Sequence, residues 1–250
     1  MKSTAKQPVQ LRKALSIAIC VLLVLSIAAN VIQYSQSWAL QQQLKVIQES
    51  AAASSPSSNS SPAVSKILTL PPVTSGDHML GSAQASVQIV EYGDFECPYC
   101  KAFHPILHQL VTDYAGKVSW VFREFPLSIH ANAYREAVAA ECVGNIGGDD
   151  AFWKYADALY AQTTSGGIGF PLTGLEPLAK QQGIDSQAFA QCLSSGQLTG
   201  RVDSQSADAL AIGIRGTPGT AIVRRDGSYV LLAGSMSYAQ VKSIIDTQLQ

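Results

Sequence analysis

The sequence predicts an α/β fold in which a small mixed sheet is divided into two halves by a helical insertion. Two β-rich runs flank a helical pattern between residues 87 and 125, helical patterns without strand signals fill about 131–213, and strand signals return after residue 219. With 250 residues and 47% hydrophobic side chains, the chain has enough apolar surface to bury a core.

The first half of the sheet is predicted from residues 87–125. Residues 87–92 form a short β-rich run that ends at Gly93. Residues 98–114 repeat apolar side chains at helical spacing, which predicts a helix directly after that strand. Residues 118–125 are rich in β-branched and aromatic side chains and stop before Pro126, which predicts a second strand.

The insertion and the second half of the sheet follow in order. Glycines separate the insertion into five predicted helices, at 131–143, 151–161, 172–182, 186–194 and 202–212. Strand signals at 220–224 and 229–232 are joined by the turn Asp226-Gly227. A last helix is predicted over 237–248, which completes the order β-α-β, helices, β-β-α.

The amino-terminal third is predicted to anchor the chain in a membrane. Residues 14–32 carry no charge and are almost entirely apolar, which is enough for a spanning helix of about 20 residues. Basic residues in the segment 1–13 predict that this end is cytoplasmic and that the body lies outside, in the periplasm of a cell with an inner membrane. Cleavage of a signal peptide after Ala28, with secretion of the body, is the alternative.

The remaining boundaries follow from composition. Residues 33–66 combine a short polar helix with a linker rich in Ser, Pro and Ala, and residues 67–250 form the predicted catalytic domain. The formal net charge is −1, and no cluster of Lys and Arg appears after residue 66. Binding phosphates requires such a cluster, so nucleic acid is excluded as the predicted partner.

The cysteines point to redox chemistry. Cys20 lies within the apolar segment and is interpreted as a membrane-core residue, which leaves Cys97, Cys100, Cys142 and Cys192 in the body. The motif Cys97-Pro98-Tyr99-Cys100 falls where the first strand gives way to the first helix. Backbone N–H groups at a helix amino terminus stabilise a thiolate, so we expect Cys97 to be the nucleophile and Cys100, one turn later, the resolving thiol.

A zinc site is the competing interpretation of the cysteine motif. Cys100, His104 and His108 recur every four residues and would share a helix face. Pro105 argues against a regular face, and the sequence offers no second C-x-x-C motif to complete a structural zinc site. The sequence therefore predicts no metal, with the histidines as satisfied surface or groove residues.

The segment from Asp94 to Pro105, which reads DFECPYCKAFHP, resembles the active-site segment of DsbA-like proteins in the thioredoxin superfamily. The match extends over most of residues 77–250 and implies a thioredoxin-like fold. Glu91 matches the buried acid beneath the family's active disulfide. Gly216-Thr217-Pro218 resembles the loop that carries a cis proline, which implies a cis Thr217–Pro218 bond beside the cysteine pair.

The resemblance also implies a function. Such an enzyme is a protein thiol-disulfide oxidoreductase that introduces disulfides into exported proteins by exchange through Cys97 and Cys100, without a cofactor. Its partners would be exported proteins with cysteine thiols and a quinone-linked re-oxidising membrane protein of the DsbB or VKOR type. An isomerase or reductase with the same site remains an alternative, as does a non-catalytic binding or chaperone module.

Cys142 and Cys192 fall in two different predicted helices of the insertion, fifty positions apart. They could be two buried free thiols, since cysteine often behaves as a small apolar residue. In an oxidising compartment we expect them to form a structural disulfide. The resemblance supports this pairing only loosely, because not every relative has both cysteines.

Overall fold

A five-stranded sheet organises the fold, with the strand order β1-β3-β2-β4-β5. The computed structural model describes residues 70–164, 169–232 and 234–250, which belong to one unit, Lys66–Gln250. The strands are β1 (His78–Leu80), β2 (Val87–Gly93), β3 (Val118–Glu124), β4 (Gly219–Arg224) and β5 (Tyr229–Leu232). β2 and β3 run parallel, and the other neighbouring strands are antiparallel.

Six α-helices accompany the sheet in the described residues. They are α1 (Pro98–Asp113), α2 (Ala133–Gln162), α3 (Leu175–Gln181), α4 (Ser186–Ser195), α5 (Thr199–Ala211) and α6 (Tyr238–Gln248). A 3-10 turn at Leu172–Gly174 leads into α3. Helices α2 to α5 follow β3 and precede β4, so the helical insertion lies between the two halves of the sheet, as predicted.

The sheet is buried on both faces, and six of the seven residues of its central strand β2 are buried. Successive side chains of a strand point to opposite faces. Val87 and Ile89 join a large core formed with α1, α2 and α6, whereas Val90 and Tyr92 join a smaller core that includes residues around the end of α5. Burial of both sides is typical of a central strand in a sheet that is covered by helices.

The structure corrects one detail of the predicted elements and confirms another. β1 was not predicted, because three residues are too few to show a strand pattern. The two helices expected at 131–143 and 151–161 are present as the two halves of α2, which meet at a kink at Gly148 (φ 77°). Glycine adopts a positive φ without steric cost, so Gly148 separates the two halves as the glycine pattern predicts.

The predicted membrane anchor, residues 14–32, and the linker, residues 33–66, lie outside the described residues. Across 70–164, 169–232 and 234–250, no helix combines the length and the apolarity that crossing a bilayer requires.

Candidate functional site

The cysteine pair lies at the junction between β2 and α1. Cys97 occupies the position before the first helical residue, with extended backbone angles, and Pro98 is the first residue of the helix. Proline fits this position because its missing N–H would have no partner inside the helix. Both cysteines are buried free thiols, with 3% of the surface of Cys97 exposed and none of that of Cys100.

The surroundings of Cys97 favour its thiolate. The carbonyl oxygen of Thr217, 3.3 Å from the sulfur, accepts a hydrogen bond only from the protonated thiol, so the thiolate is stabilised by other groups. The pKa of Cys97 is lowered to about 6, chiefly by a hydrogen bond from the Cys100 thiol and against the opposing effect of burial. The side chain of Thr217 and the backbone N–H groups of Tyr99 and Cys100 lower this pKa further. A thiolate at neutral pH is the reactive form of cysteine.

Cys100 has the opposite character. Burial raises its pKa well above the ordinary cysteine value, and the neighbouring Cys97 and Glu91 raise it further. Two cysteines three positions apart therefore differ in protonation at neutral pH, one ionised and one carrying its proton. This asymmetry matches the roles of attacking and resolving thiols.

Glu91 is a buried acid on β2, close enough to the cysteine pair to interact with it electrostatically. Its side chain is 1% exposed, and burial raises its pKa to about 8, with Trp120 opposing that rise and the charge of Cys97 adding to it. Its Oε2 atom has no hydrogen-bond partner in the described structure. A carboxyl group with this pKa is mostly protonated at neutral pH, and it lies close enough to neutrality to donate a proton and take it back.

The loop before β4 completes the site from the other half of the sheet. Gly219, the first residue of β4, pairs with Tyr92 near the end of β2, so the preceding residues lie beside the cysteine pair. The Thr217–Pro218 peptide bond is cis, as predicted. A cavity of about 460 Å³ opens beside this loop, lined also by Arg215 and Leu231. Tyr99, between the cysteines, is 66% exposed.

Two charged residues that flank the cysteine motif hold both ends of α2. Glu96 accepts hydrogen bonds at Oε2 from the backbone N–H groups of Asn132 and Ala133, at the start of the helix. The Nζ atom of Lys101 donates to the carbonyl of Thr163 at 2.7 Å, just past the end of the helix. Sequence reasoning missed both roles, although the signs of the two charges suit the helix ends that they contact.

Asp94 ties the same region to the loop after β3. Its Oδ2 atom accepts hydrogen bonds from the backbone N–H of Leu127 and lies 2.8 Å from Nδ1 of His130. Its Oδ1 atom accepts from the backbone N–H of Glu96. The segment just before Cys97 is therefore fixed by side-chain contacts to the loop after β3, which the sequence did not indicate.

Cys142 and Cys192 form a disulfide between α2 and α4, with 5.9 Å between their Cα atoms. Both residues are buried within the insertion. The bond closes a loop of fifty positions and joins two elements that contain none of the residues of the predicted active site. Its position fits a structural role.

The prediction that Pro105 would prevent His104 and His108 from sharing a helix face is wrong. Pro105 lies inside α1 and does not interrupt it. His104 and His108 both place Nε2 against the same oxygen, Oδ1 of Asp157 on α2, at 2.6 and 2.8 Å. Cys100 is not part of this group. Proline removes one backbone donor but leaves side chains at i and i+4 on one face, as the helix geometry requires.

Comparison with known proteins places these features in a family. Residues 73–247 match the family described as Thioredoxin. The crystal structure of Pseudomonas aeruginosa DsbA2 superposes with a TM-score of 0.61 at 32% identity, covering 68% of this chain and 93% of that one. A thioredoxin-like oxidoreductase from Silicibacter pomeroyi gives a TM-score of 0.58 at 25% identity, covering 70% and 92%.

Oxidised BdbD from Bacillus subtilis shares the fold at 23% identity, with a TM-score of 0.62 over 72% of this chain and 97% of that one. Among curated relatives, the Na(+)/H(+) antiporter NhaA 1 of Salinispora arenicola is 33% identical over 178 residues, which is 70% of this chain but 26% of the antiporter. The chain thus spans about a quarter of the length of such relatives.

Proposed function

This chain belongs to the thioredoxin family, in its DsbA-like branch of thiol-disulfide oxidoreductases, and we propose that it introduces disulfides into exported proteins. The observation that carries this proposal is the contrast between the two site cysteines. The pKa of Cys97 is lowered to about 6 while that of Cys100 is raised. A stabilised Cys97 thiolate favours the reduced pair, and a pair that favours its reduced form oxidises its substrates.

The exchange begins with the oxidised pair. A substrate thiolate attacks the sulfur of Cys97, the Cys97–Cys100 bond breaks, and Cys100 leaves with the electron pair. A second substrate thiolate then attacks the substrate sulfur of the mixed disulfide and releases Cys97 as a thiolate. The substrate loses two electrons and two protons; the enzyme pair gains both electrons, Cys100 takes up one proton, and the other proton passes to solvent. The low pKa of Cys97 makes it a good leaving group in the second step.

Glu91 is proposed to handle the proton of Cys100. When Cys100 leaves as a thiolate in a buried environment, it needs a proton, because burial strongly disfavours its charge. Glu91 has a pKa of about 8 and interacts electrostatically with both cysteines. Protonated Glu91 can supply that proton and take it back when the pair is re-oxidised, which is the role expected for a buried acid beneath the pair.

Substrate binding is proposed at the loop that contains Thr217 and Pro218. The cavity beside this loop is lined mainly by glycine and apolar residues together with Arg215 and Thr217, and Tyr99 is exposed between the two cysteines. An extended substrate segment can lie along the loop by strand-like pairing, which would hold its cysteine against Cys97. Pro98 keeps the helix start in place for this approach.

The setting of the reaction is also a proposal. Residues 14–32 would hold the domain on the outer face of the inner membrane, and a quinone-linked membrane protein of the DsbB or VKOR type would re-oxidise the pair. Anchoring next to such a protein raises the local concentration of the two partners. Secretion after cleavage at Ala28 is the alternative that sequencing of the mature amino terminus would reveal.

The reduction potential of the Cys97–Cys100 couple tests the oxidase assignment. The purified chain is equilibrated with glutathione redox buffers, and the two states are resolved by thiol alkylation and mass spectrometry. We expect a reduction potential of about −120 mV, as for an oxidant of the DsbA kind. A reduction potential of about −270 mV, as for thioredoxin, would mean that the protein is a reductase and not an oxidase. The Cys97→Ser variant, which cannot form the Cys97–Cys100 disulfide, is the control.

A further inference from the structure

A cluster of three side chains between α1 and α2 is not used by the exchange reaction. His104 and His108 on α1 and Asp157 on α2 bring together two imidazole nitrogens and one carboxylate oxygen, all within 4.8 Å of one another. The two Nε2 atoms contact the same Oδ1 atom at 2.6 and 2.8 Å. It is the one such group of potential metal ligands found in the described part of the chain.

We propose that His104, His108 and Asp157 form a binding site for a divalent transition metal ion, of which Zn²⁺ is the expected occupant. Two histidines at i and i+4 with a carboxylate from a second element are a common set of zinc ligands. Three protein ligands leave a fourth position for water. Imidazole nitrogens favour zinc and its neighbours over Mg²⁺ or Ca²⁺, which prefer oxygen ligands alone.

The surrounding aromatic side chains fix the two rings. The His104 ring packs against Trp120 and Tyr160, at centroid distances of 5.0 and 4.7 Å. The His108 ring packs against Trp120 at 5.2 Å and Trp153 at 6.1 Å. Rings held in this way lose little further freedom on binding, which lowers the entropic cost of coordination.

The site is open to an incoming ion from one side. His104 is almost fully buried, but the side chains of His108 and Asp157 are 33% and 48% exposed. Ligand atoms around a tetrahedral zinc ion with bonds of about 2.0 Å are about 3.3 Å apart, so the two contacts must open by about 0.5 to 0.7 Å. Asp157 can move by that amount because its side chain is half in solvent.

The buried Nδ1 atom of His104 limits the affinity of the site. Coordination through Nε2 moves the ring proton to Nδ1, and Nδ1 of His104 is buried without a hydrogen-bond partner in the described residues. That arrangement carries a desolvation cost, which lowers the affinity for every ion. It makes His104 a weaker ligand than a histidine whose second nitrogen has a supporting acceptor.

An ion at this position would link the helix that carries the cysteine pair to the bent helix of the insertion. His104 lies one turn after Cys100 on α1, and Asp157 lies on the half of α2 whose end is held by Lys101. Metal binding would therefore stabilise the contact between the catalytic half and the insertion. It requires no change in the redox state of Cys97 and Cys100, so it is separable from the proposed exchange reaction.

The test measures zinc binding directly. The full chain is purified in detergent without a histidine tag, with its cysteine pair oxidised, remaining thiols alkylated and metals removed by a chelator. Oxidation and alkylation prevent thiols from binding zinc. Zn²⁺ is then titrated in competition with a chromophoric chelator, and we expect one ion per chain. His108→Gln and Asp157→Asn should each weaken binding at least about tenfold, since loss of even a supporting partner costs that much.

The matched control is Asp150→Asn, which removes an exposed acid from the same helix and should leave zinc affinity unchanged. Zinc should also raise the unfolding temperature of the wild type and of the control, but not that of His108→Gln. His108 is partly exposed, so its replacement should not prevent folding. Equal zinc affinity in the wild type and His108→Gln, or no zinc bound by the wild type, would overturn the proposal.

Discussion

The two cysteine pairs of this chain can undergo the same thiol-disulfide chemistry, but their surroundings in the fold differ. Cys97 and Cys100 lie where a strand meets a helix, beside backbone N–H groups and a buried acid. Cys142 and Cys192 lie between two helices of the insertion and are joined to each other. Cys97 and Cys100 are free to exchange disulfides with a substrate, whereas Cys142 and Cys192 are bonded to each other. Position in the fold, more than the presence of cysteine, determines which pair is reactive.

Cysteine replacement in each pair should show the largest difference between them. Cys97→Ser should reduce disulfide exchange with a model dithiol peptide to the uncatalysed rate, because the attacking and leaving sulfur is gone. The paired variant Cys142→Ala/Cys192→Ala should keep most of the wild-type rate at a temperature where it is folded. Turnover is measured by the fluorescence change of the peptide on oxidation. A Cys97→Ser protein with normal turnover would refute the site assignment.

Removal of the Cys142–Cys192 disulfide should lower the stability of the fold more than Cys97→Ser does. Cys142→Ala/Cys192→Ala should lower the free energy of unfolding by about 4 kcal/mol, the chain-entropy value for a loop of fifty residues. Urea denaturation followed by far-ultraviolet circular dichroism provides the measurement, with the Cys97→Ser protein as the comparison. A loss below about 1 kcal/mol would mean that the bond contributes little to the fold of the insertion.

Glu91→Gln should slow exchange without abolishing it. The variant keeps the size of the side chain but cannot pass a proton to or from Cys100, and such transfers are typically worth about a hundredfold or more in rate. Stopped-flow measurement should show the reduction of the Cys97–Cys100 bond slowed by about that factor at pH 7. Unchanged kinetics would remove Glu91 from the mechanism and leave it as a buried polar residue.

Glu136 provides a comparison with Glu91, because it is a buried acid of the insertion with no contact to Cys97 or Cys100 in the described structure. Burial raises its pKa to about 8, and Glu96 and Asp94 add to that rise, while a hydrogen bond from the backbone of Phe170 opposes it. A raised pKa means that its contribution to stability is full below about pH 4.5 and is lost as the pH rises to about 8.

Glu136→Gln should therefore flatten the decline of the unfolding free energy between pH 5 and 8, by up to about 1 kcal/mol per pH unit. The pH dependence of Cys97 reactivity should not change. Urea midpoints at pH 5, 6, 7 and 8 for both proteins give the comparison. An identical slope in the variant and the wild type would show that Glu136 is ionised in the folded protein.

The sequence predicted the parts of this site that depend on local pattern. The helix position of Cys97 follows from a strand, a C-x-x-C motif and an N1 proline, which are adjacent in the chain. The roles of Glu96 and Lys101 depend on where the two ends of α2 fall, and that depends on the bend at Gly148. The contact of His108 with Asp157 spans 49 positions, and no local pattern indicates it.

The pH dependence of Cys97 alkylation in the reduced chain tests the central claim most directly. Iodoacetamide is applied in short pulses from pH 4 to 10, and mass spectrometry of peptides quantifies each cysteine separately. The account predicts that Cys97 reacts first, with a midpoint near pH 6, while Cys100 stays unmodified far above neutral pH. A Cys97 midpoint near an unperturbed value of about 8.5, or faster reaction at Cys100, would contradict it.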